Sequence, residues 1–175
     1  VDWYQTIFEL IDMRSFSNLW YWIALAVLWS TVSHWVLGVP FDMVQRARRH
    51  KGQALTDLED MVRINVNRLL YISETGGLLI AAFGSAALTA LAILGWWYLV
   101  ELAQAIFLLV FPMIFVALLT LRAARIIRRQ DATGDDLFRV LSRHRFWTQL
   151  VGVMAIFVAA LWGMYQNMAV GPLGG

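Results

Sequence analysis

The chain has 175 residues, 60% of them hydrophobic and 15% charged, whereas soluble domains run at roughly 45–50% and 25%. That balance excludes a disordered chain, a basic nucleic-acid-binding domain and an ordinary soluble enzyme. The lack of cysteine excludes disulfides, thiolate zinc sites, cysteine-ligated iron–sulfur clusters and cysteine nucleophiles, and the net charge of +2 matters less than where the charges lie.

Residues 1–17 place Trp3, Ile7, Leu10 and Ile11 at helical spacing, with Asp2, Gln5, Glu9 and Asp12 between them. The segment has no basic n-region, so the pattern predicts an amphipathic helix on the outer membrane interface rather than a signal peptide. Four apolar segments then reach the about 20 residues needed to cross a hydrocarbon core of roughly 30 Å. They are residues 18–38, 77–98, 99–121 and 146–168. Backbone polar groups in lipid need internal partners, so these segments are predicted to be helices. The expected fold is an all-α integral membrane protein, a single four-helix bundle with four transmembrane helices.

Between the first two spans, residues 39–76 form a basic loop carrying the RARRHK cluster. A second amphipathic helix is expected there, with Leu55, Leu58, Val62, Leu69 and Ile72 on its apolar stripe and Glu59 paired to Arg63. It is expected to lie near the membrane surface and turn into the second span at Gly76-Gly77. Residues 122–145 read as the tip of a long helical hairpin, broken at Thr133-Gly134 and reopened by Asp135-Asp136. Asp135 and Arg139 form another i,i+4 pair there. Residues 169–175 form an outer tail.

Orientation follows from the basic side chains. Arg46, Arg48, Arg49, Lys51, Arg63 and Arg68 lie between spans one and two; Arg122, Arg125, Arg128, Arg129, Arg139, Arg143 and Arg145 lie between spans three and four. Arg14 alone falls on the other side. Under the positive-inside rule both long loops face the cytoplasm and both termini face the periplasm of a bacterial inner membrane. Aromatic residues agree, with Trp20, Tyr21, Trp22, Trp96, Trp97, Tyr98, Trp162 and Tyr165 at the outer interface and Trp35, Phe146 and Trp147 at the inner one.

Small residues mark helix faces that pack closely in membranes. Gly77, Ala81, Ser85 and Thr89 form such a row on span two, and Ala155, Ala159 and Gly163 repeat it on span four. Spans two and four are therefore expected to meet, leaving one and three facing lipid or a partner. Pro112 is expected to kink span three.

Polar groups are scarce within the spans, and each is a candidate for function. Ser30, Ser33, His34, Thr120, Thr148 and Gln149 fall at similar inner-leaflet depth and could form a belt holding a quinone or lipid headgroup or an ion; interhelical hydrogen bonding is the plainer reading. Glu101 and Gln104 at the outer end of span three are candidates for an ion path, with helix capping as the alternative. Glu74 is placed to pair with an arginine of the other inner loop. The exposed cations Arg46, Arg48, Arg49, Lys51, Arg125, Arg128 and Arg129 suit anionic lipid headgroups or a docked protein. No nucleotide-binding, metalloprotease or hydrolase motif is present. No metal or other cofactor is expected; bound lipid is, with quinone as an alternative.

The segments DWYQTIFELIDMRSFSNLWYWIALA, SHWVLGVPFDMV and NRLLYISETGG resemble a family of small alphaproteobacterial inner-membrane proteins labelled "component of SufBCD complex". The resemblance implies a link to iron–sulfur cluster assembly, in which a chain without cysteine would serve as an anchor through its basic loops. Small membrane subunits of tripartite periplasmic-substrate transporters share the length and span number, but their termini are cytoplasmic. The expected function is that of a non-catalytic accessory or scaffold subunit of a larger inner-membrane complex, contacting other membrane subunits or itself. The alternatives are a homo-oligomeric channel or small transporter, and a quinone- or lipid-binding redox subunit.

Overall fold

The computed structural model describes residue 3, residues 15–17 and residues 19–169. Most of the expected N-terminal interfacial helix and all but Ala169 of the outer tail lie outside the described residues. After a 3₁₀ turn at Ser15–Ser17 come five helices: α1 (Leu19–His34), α2 (Phe41–His50), α3 (Gln53–Ala92), α4 (Glu101–Gln130) and α5 (Gly134–Ala169). A two-residue ladder of β1 (Trp35–Val36) and β2 (Val39–Pro40) joins α1 to α2.

Among the described residues three helices, not four, are long and apolar enough to cross a membrane: α3 with the π-helical turn that continues it, α4 and α5. This is the architecture of a multi-pass membrane protein. The first apolar segment falls short because only 16 residues of it are helical, about 24 Å at 1.5 Å per residue. Its remainder is consumed by the hairpin. There Leu37 and Gly38 adopt left-handed φ of 50° and 73°, the geometry that matches a tight turn to the twist of its strands. Pro40 then serves as the N-cap of α2.

The surface helix turning at Gly76-Gly77 is also corrected. α3 runs unbroken for 40 residues through both glycines, about 60 Å and twice the hydrocarbon thickness. Its first half buries Leu58, Val62, Val66 and Leu70 at successive i+4 positions, while Leu55 and Leu69 pack at the margin and Ile72 is exposed. The stripe extends one core beyond the bilayer-length segments. Val36, Leu37 and Val39 of the hairpin, Val44 and Ala47 of α2, Ala123, Ala124 and Ile127 of α4 and Leu137, Phe138 and Leu141 of α5 complete it. Twelve of the thirteen basic residues of the two long loops lie on helices that reach this end, and Lys51 directly follows α2.

The second core lies between the 3₁₀ turn, α1 and the apolar parts of α4 and α5: Phe16, Tyr21, Leu25, Trp29, Ala105, Val116, Ala155 and Ala159. Here the expected pairing changes. The small residues of α5 receive α1, not α3. A Cβ at Gly152 would stand 2.9 Å from Trp29 and one at Gly163 3.0 Å from Trp22, so glycine is what lets these indoles approach. The row on α3 goes unused: Ala81, Ser85 and Thr89 are exposed and Gly77 is half-buried. None of the apolar window of α3 is buried. The second bundle is therefore α1, α4 and α5, with the apolar half of α3 beside it.

α4 continues past Pro112 as one helix to Gln130, as expected of a span extending through Arg122–Arg129. Asp131 at φ 45° and Gly134 at φ 55° make the turn, and Asp135 and Asp136 occupy the first turn of α5. Two ion pairs differ from expectation by one position. Arg63 meets Asp60 at 3.0 Å and Arg139 meets Asp136 at 3.7 Å. Glu59 is thereby free to accept the Gly134 N–H at 2.8 Å, tying α3 to the start of α5.

Candidate functional site

At the base of the second bundle the chain is drawn together by Asn65. Its amide donates to the Leu37 carbonyl at 3.1 Å, holding the hairpin turn against α3. Arg145 does the same for α1: its Nε donates to the Ser33 carbonyl at 3.3 Å, at the negative end of that helix. Its guanidinium lies 3.8 Å over the Phe41 ring. These anchors leave a cleft of about 310 Å³ where α1, the hairpin, α3, α4 and α5 converge.

The walls are divided by chemistry. Val32, Leu37, Leu69, Ile72 and Val116 make the apolar part, with Trp35 at the edge. Asn65, Arg68, Thr120, His144 and Thr148 supply the polar part. His144 is 6% and Thr148 3% exposed. Thr120 donates its proton back to the Val116 carbonyl at 2.8 Å, so toward His144, whose Nε2 is 3.4 Å away, its oxygen can only accept. The Thr148 hydroxyl is buried with no hydrogen-bond partner among the described residues. Buried polar groups in native proteins are nearly always satisfied; the Trp20 and Trp29 indole N–H groups and the Tyr21 hydroxyl share this state, and of the four only Thr148 stands on the cleft wall. No carboxylate lines the cleft, and Arg68 is in none of the ion pairs among the described residues.

The expected inner-leaflet belt is thus divided. Thr120 and Thr148 come together in the cleft, whereas Ser30, His34 and Gln149 are exposed and Ser33 contributes only its carbonyl. His34 stands 4.0 Å from Asp42 on the surface. The histidine of the site is His144, together with Arg68 and Asn65. Their signal in the sequence was spacing: His144 is one turn before Thr148, and Asn65, Arg68, Leu69 and Ile72 recur on one side of α3.

At the opposite end Gln104 is 2% exposed and fully engaged. Its Nε2 donates to the Gly95 carbonyl at 2.7 Å, and its Oε1 accepts from Trp162 Nε1 at 3.0 Å and Gln166 Nε2 at 3.1 Å. The π-helical turn Ile93–Trp97 is locked to α4 and α5 by this one amide. Glu101 accepts the Phe16 N–H at 2.8 Å, fixing the chain that leads into α1. The two candidates for an ion path are both occupied by hydrogen bonds that hold the fold.

The basic groups stay where lipid or a partner can reach them. Arg46, Arg48, Arg49 and Lys51 are exposed on or just after α2. Arg125, Arg128 and Arg129 border a second cleft of about 240 Å³ with Leu70, Ser73 and Glu74. Arg128 pairs with Glu74 at 3.4 Å, the inter-loop contact expected for that glutamate. Comparison with protein-family models, curated proteins and solved structures returns no match.

Proposed function

We propose that this is a non-catalytic accessory subunit of a bacterial inner-membrane assembly. Its basic end faces the cytoplasm. Phe16, tied to Glu101, and the C-terminal end of α5 lie on the other side, and the short α1 packs against α4 and α5 between that side and the hairpin at the basic end. Support for the orientation comes from the thirteen cations gathered at one end against none in residues 77–121 or 146–169. The assembly role is carried by one observation: the membrane-length half of α3 has no buried residue in its apolar window. It presents Ala81, Ala82, Ser85, Ala86, Thr89 and Ala90 outward. Lipid gains little from small residues, whereas a neighbouring helix gains close approach. The same chain uses that device between α1 and α5.

The test is a photo-crosslinking residue placed at Ala82 or Ala86, with Val153 on the exposed side of α5 as control. The expected result is a discrete adduct to a second membrane polypeptide from α3 and lipid adducts alone from Val153. Lipid adducts alone from both would overturn the reading. A conducting path along Glu101 and Gln104 has no comparable support, because both side chains are committed within the chain. The resemblance to the SufBCD-associated family suits the same role. Lacking cysteine, such a subunit would hold cluster-assembly machinery at the membrane through Arg46, Arg48, Arg49 and Lys51.

A further inference from the structure

We infer that the cleft between α1, the hairpin, α3, α4 and α5 is a binding site for the phosphate of an anionic phospholipid. Three observations converge. The first is depth: Trp35 lines the cleft, and Phe146 and Trp147, both exposed, lie on α5 between the cleft residues His144 and Thr148. Such aromatic residues sit at the level of lipid headgroups. The second is charge. Arg68 is the one charged side chain on the walls, with no carboxylate beside it and no ion pair among the described residues. A guanidinium there calls for an anion, and phosphate oxygens match its planar fork.

The third is the balance of donors. Asn65 spends an amide hydrogen on Leu37 and Thr120 spends its proton on Val116. The Thr148 hydroxyl remains unpartnered. Threonine in a helix has two χ1 wells open to it, so a turn about χ1 offers this hydroxyl to the lumen. A quinone carbonyl would satisfy Thr148 but leave Arg68 without a counter-charge. At about 30 Å³ per water, the 310 Å³ cleft has room for a phosphate and the glycerol carbons next to it. Exposed Ile72 and Trp35 form an apolar mouth through which acyl chains pass into the bilayer.

The experiment is native mass spectrometry of the full chain in detergent, titrated separately with dioleoylphosphatidylglycerol, a short-tailed ubiquinone and inorganic phosphate. One phosphatidylglycerol is expected to stay bound per chain, its affinity dropping about tenfold in R68Q, as loss of a charge-assisted hydrogen bond implies. T148V should lose less, and R63Q, on an exposed part of the same helix, nothing. Arg68 is itself exposed, so R68Q should keep its helical circular dichroism; T148V removes only an unpartnered hydroxyl. Equal phosphatidylglycerol retention by R68Q and the parent chain would overturn the assignment. So would ubiquinone as the preferred occupant, or free phosphate competing as well as the lipid. The α3 face plays no part in this site, so its failure would leave the accessory role standing.

Discussion

Gly38 and Gln104 are single positions on which a long stretch of chain depends. At Gly38 the backbone is left-handed at φ +73°, and an added Cβ would stand 2.9 Å from Asn65 Nδ2. G38A should therefore cost about 2 kcal/mol from the backbone alone, and more if Asn65 releases the Leu37 carbonyl. A lowered unfolding temperature in detergent would register it. Q104L strips partners from the Gly95 carbonyl and the Trp162 indole together. Leaving buried polar groups unpaired should cost about 2–3 kcal/mol, read as lower thermal stability; unchanged stability would show that this amide is not a lock. At this scale the sequence was partly legible. Thr120 and Thr148 stand out as polar groups in apolar runs, but His144 falls between Arg143 and Arg145 in the 122–145 segment expected at the hairpin tip. Only the unbroken course of α5 (Gly134–Ala169) carries it inward.

Among the elements, α3 departs furthest from what its sequence predicts. Its apolar stripe from Leu58 to Leu70 and the span after it were each visible, but the glycine pair between them suggested a bend. Helix propensity alone does not force one: glycine in a helix interior costs about 1 kcal/mol relative to alanine, which the buried Leu58–Leu70 stripe at one end and the Gln104 bond to the Gly95 carbonyl beyond the other readily offset. The nearest atoms to an added Cβ are 4.0 Å away at Gly76 and 3.7 Å at Gly77, ordinary contact distances. The double variant G76A/G77A is therefore expected to raise stability toward denaturant in detergent by about 1–2 kcal/mol; a loss would reinstate a hinge. The partner of α5 differs from expectation for a related reason. Small residues announce a close neighbour without saying which, and the bulky Trp22 and Trp29 of α1 are the knobs that fill those gaps. Hydropathy extends the first apolar segment through Gly38 because it does not register that Trp35 begins a strand.

For the whole molecule, the proposed threading makes a simple prediction, since the chain has no cysteine of its own. Y98C, at an exposed position beyond the π-helical turn, should react with an impermeant thiol reagent on intact cells. Q130C, exposed where α4 ends, should react only after permeabilisation. The reverse pattern would invert the topology. The two-core plan also constrains biosynthesis. Leu58, Val62, Val66 and Leu70 leave the ribosome early, yet Ala124, Ile127, Phe138 and Leu141, which cover them, are made only after a membrane hairpin has been threaded. Until then a newly made greasy surface stands uncovered, an invitation to chaperones and proteases. A chain stopped at about residue 120 should thus be degraded rapidly even though its first hairpin is inserted, so that quality control monitors completion of the far hairpin through the near one.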